Sequence, residues 1–187
     1  MKKRWWVLII ILMILTAIVA VFYILYFQIP IRFTSEQNIV NPAKTLSPEQ
    51  AILDFNESYA DYLIFLIGGQ KLHNPPLSSN NPKIKIVLGE EIFISEVNKG
   101  VINTRRADLD EVDLIIRTSR QEIVNAILSS DAKLYLKQSV SSGNIQLEMV
   151  GSYPSLFSKG YLGLYKEITG EEIEGEGITG KIIRIFD

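Results

Sequence analysis

The chain has 187 residues, of which 47% are hydrophobic and 21% are charged. This composition excludes a disordered or low-complexity protein, and the length suits one ordinary domain with an appendage. The chain contains no cysteine and one histidine, His73. Disulfide frameworks, thiolate chemistry and metal sites with two imidazole ligands are therefore excluded. His73 lies in a loop rich in Pro and Asn without an acidic neighbour, so we expect it on the surface and not in a catalytic site.

An uncharged apolar stretch over residues 5–27 follows a basic flank over residues 1–4. About 20 apolar residues suffice to cross a bilayer as a helix, so the stretch predicts a retained transmembrane anchor. A cleaved signal peptide is the competing interpretation, although such segments have shorter apolar regions. Because Lys2, Lys3 and Arg4 precede the stretch, we expect a single-pass membrane protein with its N-terminus in the cytoplasm and its domain outside the cytoplasm.

The segment over residues 28–46 contains Pro30 and Pro42 and lacks helical or alternating periodicity, which predicts a tether. Three of the 19 Lys and Arg residues lie in the basic flank, so 16 remain against 21 acidic residues in the rest of the chain. Nucleic acid is therefore not an expected partner, because the acidic body has no basic stripe that could neutralise phosphates.

The predicted domain over residues 47–170 opens with Ser47-Pro48-Glu49-Gln50, the pattern of a capped helix start. Apolar residues at a spacing of three to four predict one helix that continues to a stop at Gly68-Gly69. Residues 63–67 are apolar on every side. They fit either the buried end of a core helix or a lip that touches lipid.

Residues 83–88 alternate Lys or Val with Ile or Leu, which predicts a half-buried strand with Ile84, Ile86 and Leu88 facing inward. Asn98-Lys99-Gly100 predicts a hairpin turn between the next two strands. Residues 112–117 predict a fourth strand. Because the four strands are short and consecutive, we expect an antiparallel meander.

Ser119 and Glu122 form a capping box, which predicts a helix ending near Ser130. A further short helix ending at Gly143 and a fifth strand over residues 145–149 follow. A long amphipathic helix is then predicted from residue 153 to residue 168, with a wide apolar and aromatic face. Residues 171–187 read as an acidic Gly-rich tail with an edge strand, and the Glu spacing is not that of a calcium loop.

Two stretches resemble the sterol carrier protein type 2 domain family, and the similarity covers roughly residues 48–168. The first is Val112-Asp113-Leu114-Ile115-Ile116-Arg117-Thr118-Ser119 with residues 123–128, which resembles the family's Asp-containing strand leading into a Ser-capped helix. The second, residues 143–151, is similar to the family's glycine-bounded strand before its final helix. The chain has Ser129-Ser130 where members usually have Gly-Lys, and Ser152 where an acidic residue is usual.

With the predicted anchor, the resemblance implies an α+β protein: a single transmembrane helix, then a five-stranded, mainly antiparallel sheet packed with helices around an apolar core or tunnel. It implies non-catalytic lipid binding, with a sterol, fatty acyl or isoprenoid chain in the tunnel and no cofactor, metal or catalytic residue. The alternative is a membrane-anchored scaffold or protein-interaction domain with a closed core and an unidentified partner. The apolar alternation and helical spacing place the candidate ligand-binding residues on inward faces: Ile115, Ile127, Leu147, Met149, Phe157, Tyr161 and Leu164.

Overall fold

A computed structural model describes residues 12–21, 37–75 and 78–170, together with the backbone of residues 183–184. The chain divides into two compact units, Met1–Thr34 and Ser35–Asp187. In the first unit, residues 12–21 form helix α1. The second unit contains the sheet and the other helices.

The predicted transmembrane anchor over residues 5–27 is not supported. Within the part of the chain that the structure describes, no helix is both long enough and apolar enough to cross a membrane. This finding contradicts three predictions: the membrane anchor, the single-pass topology and the placement of the domain outside the cytoplasm. Residues 5–11 and 22–27 of the predicted anchor lie outside the described residues.

The second unit begins earlier than predicted, because the described part of the predicted tether packs on the domain. The Gln37 side chain pairs with the backbone of Ile102 through two hydrogen bonds, of 3.0 Å to the carbonyl oxygen and 2.7 Å from the amide nitrogen. Asn41 Nδ2 donates to the carbonyl oxygen of Ile127, and Ala43 is fully buried. Residues 37–46 therefore belong to the fold. Residues 28–36 are outside the described ranges.

The second unit is α+β, with a mixed sheet. Its strands are β1 (Lys83–Leu88), β2 (Glu91–Asn98), β3 (Val101–Arg106), β4 (Leu114–Thr118), β5 (Gln146–Met149) and β6 (Ile183–Arg184). They lie in the order β3-β2-β1-β4-β5-β6, so the two-residue strand β6 is at the edge beside β5. The β1–β4 pair is parallel, and the other four neighbouring pairs are antiparallel.

The predicted four-stranded meander is wrong at its last step. Strands β1 to β3 pair in sequence, and the predicted hairpin turn has positive φ at Lys99 and Gly100. Strand β4 then returns to pair in parallel with β1, so that Ile86 lies opposite Ile116. A strand with apolar residues on both faces suits the middle of a sheet, whereas the polar strand β3 suits an edge.

Six helices and one 3₁₀ turn belong to the described part of the second unit. Ser47 Oγ accepts a hydrogen bond from the Gln50 amide, and Ser119 Oγ accepts one from the Glu122 amide, which confirms both predicted helix starts. The helices are α2 (Pro48–Leu53), α3 (Glu57–Leu66), α4 (Arg120–Leu128), α5 (Ala132–Ser141), α6 (Tyr153–Lys159) and α7 (Tyr161–Thr169), and the 3₁₀ turn is Gly69–Lys71.

Two helices that were predicted as continuous are each broken. The first breaks before Asn56, whose side chain caps α3 by accepting from the Ser58 amide. The second breaks at Gly160, which has φ +89° and separates α6 from α7. Left-handed backbone at a single glycine ends one helix and redirects the next, although the apolar spacing continues across it.

One face of the sheet forms the core against the helices. Ile84 and Ile86 on β1 lie beside Leu114 and Ile116 on β4, and Leu147 lies beyond Ile116 on β5. All five side chains are buried. The inward placement of Ile84, Ile86 and Leu88 is confirmed.

The helix break at Gly160 can be tested with a pair of glycine substitutions in and beside α7. We expect Gly160→Ala to lower the free energy of unfolding by about 1–2 kcal/mol, because alanine disfavours the left-handed conformation. Gly163→Ala should raise it by about 0.5–1 kcal/mol, since Gly163 lies inside α7 and an added Cβ would have no atom within 4 Å. Chemical denaturation of the full-length protein measures both. Equal effects of the two substitutions would contradict the break.

Candidate functional site

A small aliphatic cavity lies between the core face of the sheet and three helices. We call it the inner cavity. Strands β4 and β5 and the residue before β5 supply one side, and α3 with the residue after it, α5 and α7 supply the other. The described residues that line it all have aliphatic side chains: Leu63, Ile67, Ile116, Leu136, Val140, Ile145, Leu147 and Ile168.

A second depression, which we call the mouth, opens at the surface next to the inner cavity. Its lining residues are Leu66, Ile67, Lys133, Leu136, Glu167 and Ile168. Three of them, Ile67, Leu136 and Ile168, also line the inner cavity, and we call these three shared wall residues the partition. The inner cavity and the mouth each offer about 10 Å³, close to the room that one water molecule needs. The partition must move before a larger ligand can enter.

Charged side chains gather at the rim of the mouth. Lys71 Nζ lies 2.6 Å from Glu167 Oε2, and Lys133 Nζ lies 2.8 Å from Glu167 Oε1. We call these three residues the rim trio. Hydrogen bonds from Lys133 and from Lys71 lower the pKa of Glu167, so this carboxylate is ionised at neutral pH. The trio carries two positive charges and one negative charge.

The predicted ligand-binding residues fall into three groups. Leu147 lines the inner cavity. Ile127, Met149, Tyr161 and Leu164 are buried in the surrounding core but do not form its wall. The remaining two residues, Ile115 and Phe157, do not face inward.

Both outward placements have a simple cause. Ile115 alternates with the buried residues Leu114 and Ile116, and it pairs with Lys85 and Glu148 on the opposite face of the sheet. Phe157 is 66% exposed and stacks on Tyr153, because the break at Gly160 separates its helix from the helix that covers the core. The inward assignment of these two residues is therefore wrong.

The helical part of the wall was absent from the predicted set. Leu63 and Ile67 come from the all-apolar segment 63–67, and Leu136 and Val140 lie four residues apart on α5. The sequence shows both features. Segment 63–67 is a helix end without a polar side, and Leu136 and Val140 are an apolar pair at helical spacing. Which strands these faces cover depends on the β1–β4 pairing, and local patterns do not specify that pairing.

A larger and more polar depression, of about 370 Å³, lies beside the start of β1. It is lined by Asn80, Lys83, Asp110, Glu111, Val112, Asp113, Val150, Gly151 and Lys159. At this depression Lys159 Nζ donates to Asp113 Oδ1 at 2.7 Å and to Oδ2 at 2.9 Å. The two residues are 2% and 8% exposed, so this is a buried ion pair.

The other polar groups around Asp113 also form hydrogen bonds within the protein. The Lys83 amide donates to Asp113 Oδ2, and the Tyr161 hydroxyl lies 3.3 Å from the same oxygen and 3.2 Å from the Lys83 carbonyl oxygen. Burial, followed by the charge of Asp113, raises the pKa of Tyr161 well above its ordinary value, so the phenol stays protonated and donates. The Asp113 carboxylate, the Lys159 ammonium group and the Tyr161 hydroxyl thus form hydrogen bonds with one another or with the Lys83 backbone, which favours a structural role for this cluster. Among the described residues, no group of three or more His, Asp or Glu side chains could hold a metal ion.

Comparisons with known proteins find distant structural similarity. No family model and no curated protein matches the chain. One similar structure is a double mutant of the sec-alkyl sulfatase PisA1, with 12% identity, a TM-score of 0.36 and coverage of 67% of this chain and 18% of that one. Another is the stereoselective inverting sec-alkylsulfatase Pisa1 from Pseudomonas sp., with 11% identity, a TM-score of 0.34 and coverage of 72% and 18%. The chain spans less than a fifth of these enzymes, and similarity at this level carries no argument about function.

The structural role of the buried ion pair can be tested with two Lys→Met substitutions. Lys159→Met leaves the Asp113 carboxylate buried without its countercharge, so we expect the free energy of unfolding to fall by about 3–5 kcal/mol. Lys133→Met removes a lysine that is 68% exposed and should change it by at most about 1 kcal/mol. Denaturant titration of both variants against the unmodified protein measures the difference. Similar small losses in both would mean that the buried pair does not organise the fold.

Proposed function

We propose that residues 37–170 form a non-catalytic domain that binds the aliphatic chain of a small lipid-like molecule. The chain would enter through the mouth and occupy the inner cavity after the partition opens. The observation that carries this proposal is the shared wall, since Ile67, Leu136 and Ile168 line both an aliphatic cavity in the core and a depression at the surface. The sequence resemblance to sterol carrier protein type 2 domains points to the same class of ligand.

Burial of an aliphatic chain would drive such opening. It gains about 0.8 kcal/mol per methylene group, so a chain of about ten carbons gains roughly 8 kcal/mol. This gain has to offset both the loss of the ligand's freedom on binding and the displacement of the wall side chains.

Helix α7 is the wall element best suited to move. It spans Tyr161–Thr169 and is bounded by Gly160 and Gly170, with φ values of +89° and +82°. Glycines at both ends can absorb backbone changes without steric cost, while the helix itself stays rigid. A shift of α7 would displace Ile168 from the partition and widen the mouth.

A protein-interaction domain with a closed core is the second candidate function. It is favoured by the small size of the inner cavity and by exposed apolar side chains such as Phe157, 66% exposed, and Leu53, 74% exposed. In that case the wall residues pack the core only, and the exposed apolar residues contact a partner.

Binding of decanol to the full-length protein separates the two candidates. We expect binding by isothermal titration calorimetry, and we expect Leu136→Trp to weaken it at least about tenfold because the larger side chain fills the partition. Leu134→Trp is the matched control, since Leu134 lies on the same helix but is 52% exposed. It should leave decanol affinity unchanged.

Thermal unfolding of both tryptophan variants establishes that they are folded. If Leu136→Trp does not fold, Val140→Leu replaces it, because this change adds one methylene group to the same wall and should still weaken decanol binding. Absence of binding to the unmodified protein, or equal binding by the Leu136 and Leu134 variants, would favour the closed-core domain.

A further inference from the structure

The rim of the mouth joins the same three structural segments that form the partition. Lys71 ends the 3₁₀ turn after α3, Lys133 lies in the first turn of α5, and Glu167 lies near the end of α7. Leu136 is three residues after Lys133, on the same side of α5. Ile168 follows Glu167 directly. A molecule that passes the partition therefore keeps its outer end beside the rim trio.

The rim trio has an excess of positive charge. One carboxylate accepts from two ammonium groups, with one oxygen used by each lysine. An ammonium group has three donors, and the hydrogen bond to Glu167 uses one of them. A second anion at this position would balance the trio and add charge-assisted hydrogen bonds.

We infer that the ligand is an amphiphile with a single aliphatic chain and an anionic head group, and that Lys71 and Lys133 hold this head group at the rim. The inference rests on the proposed function, because it names the class of ligand for the same cavity. A carboxylate and a phosphate monoester both offer negatively charged oxygens that can accept hydrogen bonds from the two ammonium groups. A cationic head group would be repelled by the positive charges of the two lysines.

The exposure of the rim trio makes the exchange of partners easy. The side chains of Lys71 and Lys133 are 65% and 68% exposed, and that of Glu167 is 31% exposed. Ion pairs of this kind contribute little to stability because water already solvates both charges. The two ammonium groups can therefore turn from Glu167 toward a ligand without loss of the fold.

Four ligands with the same ten-carbon chain test the inference on the full-length protein by calorimetry: decanoate, decyl phosphate, decanol and decyltrimethylammonium. We expect at least one of the two anions to bind about tenfold more tightly than decanol, and the cation to bind more weakly than decanol. Tighter binding of decanoate would identify a carboxylate as the head group, and tighter binding of decyl phosphate would identify a phosphate monoester. Added salt should weaken anion binding and leave decanol binding unchanged.

Three variants assign the charge effect to the rim. Lys133→Met should remove most of the advantage of the anions over decanol. Glu167→Gln should raise the ratio of anion affinity to decanol affinity by about threefold to tenfold, because it removes the competing carboxylate. The control Lys44→Met removes an exposed lysine that does not line the mouth, and it should change none of the affinities.

The two proposals fail in different ways. If none of the four ligands binds, the proposed function fails and the inference fails with it. If decanol, the anions and the cation bind equally, and the Lys133 and Glu167 variants behave like the control, the inference is overturned while the proposed function stands.

Discussion

The fold depends on one buried carboxylate, that of Asp113. It accepts hydrogen bonds from Lys159 at the end of α6, from the Lys83 amide at the start of β1 and from Tyr161 at the start of α7. The backbone of Asp113 also bonds to Lys83 and to Val150, which follows β5. A buried ion pair repays its desolvation cost only when its remaining lone pairs and donors are satisfied. Here the Asp113 side chain meets that condition by fixing the ends of three elements, α6, β1 and α7.

This cluster also positions the apolar site, although its polar atoms lie away from the inner cavity. The paired backbones of Asp113 and Lys83 align β4 with β1 in parallel, which brings Ile116 onto the core face. Lys159 and Tyr161 hold the residues on both sides of Gly160, so they set the point from which α7 departs. Helix α7 then extends about 13 Å, at 1.5 Å per residue, and places its last turn at the mouth.

Local sequence patterns predicted the elements well and their partners poorly. The serine caps, the alternation in β1 and the Lys99-Gly100 turn each depend on a few neighbouring residues, so the sequence contains the whole signal. The parallel pairing of β4 depends on Asp113 and Lys83, which are 30 positions apart. A charged residue inside an apolar strand, as at Asp113, is a sign of such a cluster, but it does not identify Lys159. The break at Gly160 escaped the periodicity argument because the apolar spacing continues through it, and the outward position of Phe157 follows from that break.

The two lysine clusters use the same chemistry in opposite environments. Lys159 is 2% exposed, so water cannot replace Asp113 as its partner, and the loss of either charge leaves the other one buried. Lys71 and Lys133 are mostly exposed, so water or another anion can replace Glu167 at small cost. The buried pair therefore holds the start of α7 in one position, whereas the exposed pairs tie its end to α5 and to the turn after α3 by exchangeable contacts. The charged contacts of α7 therefore differ at its two ends, although Leu164, Tyr165 and Ile168 pack its length into the same core.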